Sequence, residues 1–275
     1  VAGGGAISAN ASAALTVLAE KVGAAVSSTW NGKGAISEDH PLAIGAVGQT
    51  GTSCGNQITA SADVVMSVGC RFTDWSASSY RKGTSFSIPP GKLIHIDLDH
   101  HEIGKNYPTE VGIVADARAT LEALIAAISD QQSARALARR EKFLADIRAA
   151  KAEWEAMLAP RRDSHEAPST SQRPLGALRK VMDRSGIILA GSGNTQGAVK
   201  QTYPVYEPRT HITSGSFSPM GWAVPAVLGA KLAQPDRQVV AVVGDGDFMM
   251  SLPEMGTAVM NGIPAVFLVQ NNRGY

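Results

Sequence analysis

"GDGDFMMSLPEMGTAVMNGIPAVFLVQNN", residues 244–272, decides the fold. The run before and into it, "RQVVAVVGDGD" (237–247), is rich in β-branched residues and stops at glycine, as a buried parallel strand does. "PEMGTAVMNG" (253–262) has helical spacing, and "IPAVFLVQNN" (263–272) reads as a second strand. Strand, helix and strand make a βαβ crossover. Its two strands are parallel, so both carboxyl ends lie at one edge of the sheet, where open α/β sheets bind ligands. Asp245 follows the first strand, and Asn271 and Asn272 close the second. A carboxylate and an amide carbonyl oxygen are hard ligands suited to Mg²⁺, an ion that completes its octahedron with phosphate oxygens and water. Gly244 and Gly246 let the backbone approach a ligand closely and leave N–H groups free at the helix entrance, a place for a diphosphate. Either doublet alone reads as turn chemistry. Both at the ends of one βαβ unit favour a metal–diphosphate site.

Working outward, the same alternation recurs. "ASAALTVLAEKVGAAV" (11–26) is helix-spaced, "ADVVMSVG" (62–69) and "KLIHIDLD" (92–99) read as buried strands, and "DARATLEALIAAIS" (116–129) as a helix capped by Asp116. Residues 130–158, rich in Ala and charge, predict a long exposed helix, a solvated connector. "APRRDSHEAPSTSQRP" (159–174) carries three prolines among Ser and Thr, the composition of a linker. Beyond it come helix "LGALRKVMD" (175–183), strand "GIILAG" (186–191), turn "SGNTQG" (192–197) and a Gly/Ser/Pro-rich stretch leading into a helix by residue 233. The expected architecture is α/β: two doubly wound parallel-sheet domains, 1–158 and 174–275, joined by a linker at 159–173.

A net charge of +1 gives no electrostatic case for nucleic acid or an anionic membrane. No apolar run approaches the ~20 residues that span a bilayer, and the N-terminal stretch lacks the basic region of a signal peptide. Cys54 and Cys70 are too few for a disulfide framework and read as buried reduced thiols in a cytoplasmic protein. The chain begins without Met and stops just past an apolar strand, so it is expected to be part of a longer polypeptide.

The doublets resemble the signature of thiamine-diphosphate-dependent enzymes of the decarboxylase and acetohydroxyacid synthase group. By that resemblance Asp245, Asn272 and the backbone carbonyl of Gly274 would hold Mg²⁺. "PMGWAVPAVLGAK" (219–231) is similar to the segment whose methionine wedges beneath the cofactor, which makes Met220 a contact. "GSGNTQ" (191–196) is similar to the diphosphate-gripping loop, with Gly193, Asn194 and Thr195 as contacts; Asn194 and Thr195 stand where relatives often carry Gln-His. Gly246, Asp247 and Phe248 would complete the cofactor set, Asp247 standing where the family uses a small residue.

Four segments of the first half (31–52, 67–75, 92–106 and 114–124) resemble the central domain of acetohydroxyacid synthases, several of which hold FAD without using it for redox chemistry. The matched contacts would be Gly4, Gln49, Thr50, Gly51, Gly69, Arg71, Asp97 and Asp116. Arg71 could pair with a diphosphate, and Asp97 at a strand end could accept from a ribose hydroxyl. The bland alternative is that these are turn and packing residues. "FTDWSASSY" and "GQTG" depart from the synthase pattern. In the family an activating glutamate lies in a pyrimidine domain before the equivalent of Val1, and a lid lies after the equivalent of Tyr275. Neighbouring subunits share the active site, which implies a homodimer or homotetramer.

Three other patterns carry less. "GTSCG" (51–55) satisfies G-x-S-x-G, but "LAIGAVGQT" is too glycine-rich for the strand that a nucleophile elbow needs. "DHHE" (99–102) lacks the helix-face spacing of a metalloprotease and reads as a solvated turn, and "AGGGA" (2–6) misses the third glycine of a dinucleotide fingerprint. The expected function is a C–C bond made or broken next to a carbonyl, as in 2-oxo acid decarboxylation and carboligation. The alternatives are hydrolytic opening of a cyclic 1,2-diketone, as in the cyclohexane-1,2-dione hydrolases, and a non-catalytic nucleotide-binding module.

Overall fold

A computed structural model of the chain describes residues 1–129, 134–215 and 217–274. The chain folds as two compact units, Val1–Met157 and Leu158–Tyr275.

The first unit contains α1 (Gly4–Ser8), α2 (Ser12–Val22), β1 (Val26–Ser28), β2 (Ala43–Ala46), α3 (Ser53–Ala60), β3 (Val64–Val68), β4 (Lys92–Asp97), β5 (Val111–Val114), α4 (Ala117–Ala127) and the start of α5 (Ala134–Arg162). β1 pairs with β2, and β3, β4 and β5 pair in order, all parallel. Ala2 bridges both groups, lying parallel to Ser28 on one side and Val68 on the other. Counted from Ala2, the strand order across the sheet is 3-2-1-4-5-6. The chain reverses direction across the sheet between Ala2 and β3, and a doubly wound sheet binds ligands at that switch point. Successive strand residues serve opposite faces. Val68 and Ile96 join the core beneath α2 and α4, whereas Val65 and Leu93 pack with Phe72, Phe86 and Tyr107. α2 ends at Gly23, whose φ of 69° lets its N–H reach back to the Ala19 carbonyl. Asp116 caps α4 by accepting from the Ala119 N–H at 2.9 Å.

Two expectations are corrected here. Glycine does not disqualify 42–50 as a strand: β2 forms with Gly45 at φ +79°, where an added Cβ would lie 2.7 Å from the Thr52 hydroxyl. Helix α3 follows, but Val47–Thr52 separates it from β2, so Ser53 still does not sit on an elbow. The long helix is not a free connector either. Phe143, Leu144, Ile147, Ala150 and Trp154 pack on the first unit's core, with Ile147 fully buried. Those residues are so diluted by Ala and charge that the stripe does not stand out in the sequence. Residues 130–133, where that helix was expected to begin, lie outside the described ones.

The second unit contains the end of α5, α6 (Gln172–Val181), β6 (Ile187–Ala190), α7 (Asn194–Thr202), β7 (His211–Ile212), α8 (Ala223–Ala233), β8 (Val239–Gly244), α9 (Asp245–Met250), α10 (Glu254–Met260) and β9 (Val266–Gln270). α5 runs four residues into the stretch expected as linker, and α6 starts at Gln172, with Pro174 in its first turn, where its missing N–H costs nothing. The sheet order is β7-β6-β8-β9, all parallel. Ile187, Leu189, Val239, Ala241 and Val243 face α8, and Ile188, Ala190, Val240 and Val242 face Leu175, Val199 and Tyr203. Both faces are covered, as in a doubly wound sheet. From β6 the chain goes outward to β7, then crosses to β8 and β9, so the switch point falls between β6 and β8.

Candidate functional site

The register of β8 and β9 sets the geometry that the opening doublets need. Gly244 pairs with Gln270, so Asp245 on one strand and Asn271 on the other leave the sheet side by side at its carboxyl edge. Asp245 opens α9 directly, without the intervening turn expected there, and Gly244 is its N-cap. Among the described residues the Asp245 carboxylate accepts no hydrogen bond. The Asn272 side-chain oxygen accepts from the Gly274 N–H at 3.1 Å, which brings the Gly274 backbone round beside it. Asn271 makes the equivalent turn with the Arg273 N–H at 2.8 Å.

Three further loops meet this edge. After β6 the chain turns at Gly193, with φ +77° and ψ −146°, a conformation open to glycine alone, and α7 starts at Asn194. No side chain caps α7. The Gln196 N–H reaches back to the Gly193 carbonyl at 3.1 Å, whereas the Asn194 and Thr195 N–H groups at the very start have no intrahelical acceptor and point out of the helix end. Thr195 is buried, and its hydroxyl lies 3.7 Å from where a Cβ on Gly244 would stand, so this loop closes over the Gly244-Asp245-Gly246 turn. Met220 is 37% exposed in a turn flanked by left-handed Ser218 and Gly221. Several hydrogen bonds pin that turn: the Ser192 hydroxyl donates to the Ser218 carbonyl at 2.6 Å, the Ser251 hydroxyl donates to the Gly221 carbonyl at 2.8 Å, and the Gly221 N–H donates to Asp247.

Asp247, matched as a cofactor contact in the sequence, is buried behind the turn. It is 2% exposed, and both carboxylate oxygens accept from backbone, one from the Ser192 N–H at 2.9 Å and the other from the Gly221 N–H. Burial pushes its carboxyl above the usual carboxylate range, against the pull of those two N–H groups. Phe248 turns inward and packs near Phe267, ring centroids 5.7 Å apart. Sequence reasoning missed Gly191, Ser192, Gly221 and Ser251. The signal for the first lies in its size: a Cβ on Gly191 would stand 2.0 Å from an Asp247 oxygen. An apolar cleft of about 290 Å³, lined by Met255, Val259 and Phe267 among others, opens instead at the amino-terminal end of β9.

In the first unit the residues matched to a flavin site all follow the carboxyl ends of strands. Gly4 comes after Ala2, Gln49, Thr50 and Gly51 after β2, Gly69 and Arg71 after β3, and Asp116 after β5, while Asp97 closes β4. The Thr50 hydroxyl is shut off from solvent with no hydrogen-bond partner among the described residues, and the Arg71 side chain is exposed. Gln49 is engaged, its amide donating to the Ser79 hydroxyl at 2.8 Å. The Asp97 carboxylate accepts from the Asp99 N–H at 3.0 Å. Gly3, Gly5 and Gly69 pack backbone to backbone at the switch point, with an added Cβ on Gly3 falling 1.9 Å from the Gly69 carbonyl oxygen. Asp99, His100 and His101 bring ligand atoms within 4.8 Å of one another, but all three are exposed, and His101 already bonds Asp99 at 3.1 Å. Cys54 and Cys70 are buried free thiols; burial pushes Cys54 up to about 11 and Cys70 up as well.

A doubly wound unit whose carboxyl edge gathers a carboxylate unpartnered among the described residues, an amide oxygen and an uncapped helix start defines a class of diphosphate-binding domain. Comparison with known proteins makes the class specific. Residues 1–124 match the thiamine pyrophosphate enzyme central domain, and residues 191–275 match the thiamine pyrophosphate enzyme C-terminal TPP binding domain. The chain belongs to the thiamine pyrophosphate enzyme family. It is 36% identical over 279 residues to a probable acetolactate synthase large subunit of Methanocaldococcus jannaschii, covering 99% of this chain and 45% of that protein. It is 34% identical over 273 residues to glyoxylate carboligase of Escherichia coli O157:H7, covering 99% and 45%. Against a 3D-(3,5/4)-trihydroxycyclohexane-1,2-dione hydrolase of Lacticaseibacillus casei it is 32% identical over 296 residues, covering 100% and 45%. The chain thus spans about half the length of the curated relatives it matches. Among the described residues no helix is long and apolar enough to cross a membrane.

Proposed function

We propose that this chain is the central and cofactor-anchoring part of an enzyme that uses thiamine diphosphate and Mg²⁺ to make or break a C–C bond next to a carbonyl, acting on 2-oxo acids as acetolactate synthases do. The observation that carries the reading is the Gly244–Gln270 register, which brings Asp245 and Asn272 to one edge. The donor set fits the ion: a carboxylate with no competing partner among the described residues, an amide oxygen, and the Gly274 carbonyl, all oxygen, with room left for phosphate and water. Gly193, Asn194, Thr195 and Gly246 would present backbone N–H groups to the diphosphate, and Met220 would support the rings. Phe248 would brace the turn from beneath. Bound thiamine diphosphate supplies the electron sink for the carbanion that C–C cleavage leaves. The chain's own residues hold the ion, orient the diphosphate and keep the Met220 turn in place. We further propose that FAD binds at the carboxyl edge of the first unit's sheet, supported by the orphaned Thr50 hydroxyl and the exposed Arg71. The assembly is read as a cytoplasmic homodimer or homotetramer with a small carbonyl substrate, and with no nucleic acid or membrane partner.

Hydrolytic opening of a cyclic 1,2-diketone is the second reading, favoured by the likeness to the L. casei hydrolase over the whole chain. Calorimetry of the full-length protein with Mg²⁺ and thiamine diphosphate should show saturable binding; no binding would overturn the central reading. Product analysis with pyruvate against cyclohexane-1,2-dione separates the two reactions, and a purified protein without flavin absorbance would remove FAD.

A further inference from the structure

We propose that Asp247 is a positioning residue, a buried clamp that fixes the spacing between the diphosphate loop after β6 and the Met220 turn before α8. This rests on the thiamine diphosphate reading above, and it gives Asp247 a role other than touching the cofactor. Its two carboxylate oxygens are divided between two loops far apart in the chain. One takes the Ser192 N–H, 55 residues away, and the other takes the Gly221 N–H, 26 residues away. Asp247 itself rides on α9, two residues past Asp245. One rigid planar group therefore links the candidate metal turn, the diphosphate loop and the methionine turn.

The surroundings are built for this side chain. Gly191 leaves the space that the carboxylate fills, and a Cβ there would collide with it. The Ser192 hydroxyl reaches the Ser218 and Pro219 carbonyls at 2.6 and 2.8 Å, and the Ser218 hydroxyl donates to the Gln196 side-chain oxygen at 3.0 Å, so the two loops are laced above the carboxylate as well. A small residue at position 247 could not reach both N–H groups. A neutral amide could accept only one, since its NH₂ would face the other N–H donor to donor. Asp is the side chain that satisfies both loops from one point, and the cost of burying its charge falls on the clamp.

The test uses the full-length protein with Asp247→Ala and Asp247→Asn. Hydrogen exchange of the cofactor-free protein should quicken at least tenfold in both Ser192–Thr195 and Gly221–Trp222 for Asp247→Ala, with β6 and β8 unchanged. Asp247→Asn should release mainly one of the two loops, and it decides the matter should the alanine variant fail to fold. The dissociation constant for Mg²⁺–thiamine diphosphate should rise at least tenfold for Ala and less for Asn. Exchange unchanged in both loops, or quickened equally in β6 and β8, overturns the clamp. Loosened loops with unchanged cofactor affinity overturn its positioning role. If the parent protein binds no thiamine diphosphate, the proposed function fails, and the exchange pattern alone still decides whether Asp247 ties the loops.

Discussion

The two switch points solve the same geometric problem in opposite ways. In the first unit the crevice between Ala2 and β3 is closed by backbone on backbone: Gly3 and Gly5 against Gly69. In the second, the crevice between β6 and β8 is spanned by a side chain, the Asp247 carboxylate, which accepts from the loops on either side. Glycine packing gives a close approach and leaves the polar groups, Arg71, Asp97 and Asp116, spread along the strand ends. A carboxylate tether holds the loops apart at a fixed distance and leaves their N–H groups presented inward. Doubly wound topology supplies the crevice in both units, and the residues at the crossing decide whether it is sealed or propped.

That contrast can be broken most forcefully at the sealed crevice. Gly3→Val places a branched side chain where the Gly69 carbonyl already stands, and should cost about 3 kcal/mol, read as a lower urea midpoint for the first unit. At the propped crevice, Asp245→Ala should leave the fold intact and weaken Mg²⁺–thiamine diphosphate binding by at least about 100-fold, roughly 2.7 kcal/mol, measured by calorimetry. Equal unfolding by both variants would erase the distinction between a crossing held by glycine packing and one whose turn carboxylate is spare for a ligand.

The pH response should separate the units further. His95 in the first is buried, its Nε2 donating to the Cys70 carbonyl at 3.0 Å while its Nδ1 has no partner among the described residues. Burial holds its pKa below the usual 6.5. The unfolded chain then takes up the proton first, so this contribution to stability is present above pH 6.5 and is lost as pH falls. Tyr203 in the second unit behaves in the reverse sense. Burial pushes its phenol up to about 12, opposed by the Arg179 guanidinium over its ring, so the unfolded chain loses its proton first. That contribution is complete below pH 10 and disappears as pH rises through about 12. Tyr203→Phe should abolish the alkaline loss and, because the hydroxyl has no hydrogen-bond partner among the described residues, stabilise the second unit by about 1 kcal/mol at pH 7. Thermal melts from pH 5 to 11 would show both trends, and a variant no more alkali-resistant than its parent would contradict the second.

The parallel pairing of β8 with β9 was legible because apolar runs of strand length, a helix-spaced run between them and polar doublets at their ends all agree. The capping of α4 by Asp116 was legible for the same reason, local chemistry deciding local structure. What stayed hidden depends on partners distant in sequence. Gly45 looks like a strand breaker until Thr52 is seen against it. Asp247 reads in the sequence as one more cofactor contact in an acidic turn, because nothing nearby in the chain announces that Ser192 and Gly221 will arrive at its two oxygens. The buried face of α5 escaped notice because Ile147 and Ala150 lie among charged neighbours that stay in water.

The first unit's sheet is stitched at its centre by hydrogen bonds around Ala2: its N–H to the Ser27 carbonyl at 2.8 Å, its carbonyl to the Thr29 N–H at 2.9 Å, and the flanking pairs Gly3 to Val68 and Val68 to Val1, each at 2.9 Å. The strands on either side, β1 with β2 and β3 through β5, are paired with neighbours in the chain. The seam therefore joins two half-sheets that can each form from nearby contacts, and its Ala2–Val68 side closes a longer loop than any pairing within either half. Loop closure alone would therefore place it among the last pairings of the sheet to form, an order that hydrogen-exchange labelling during refolding would check.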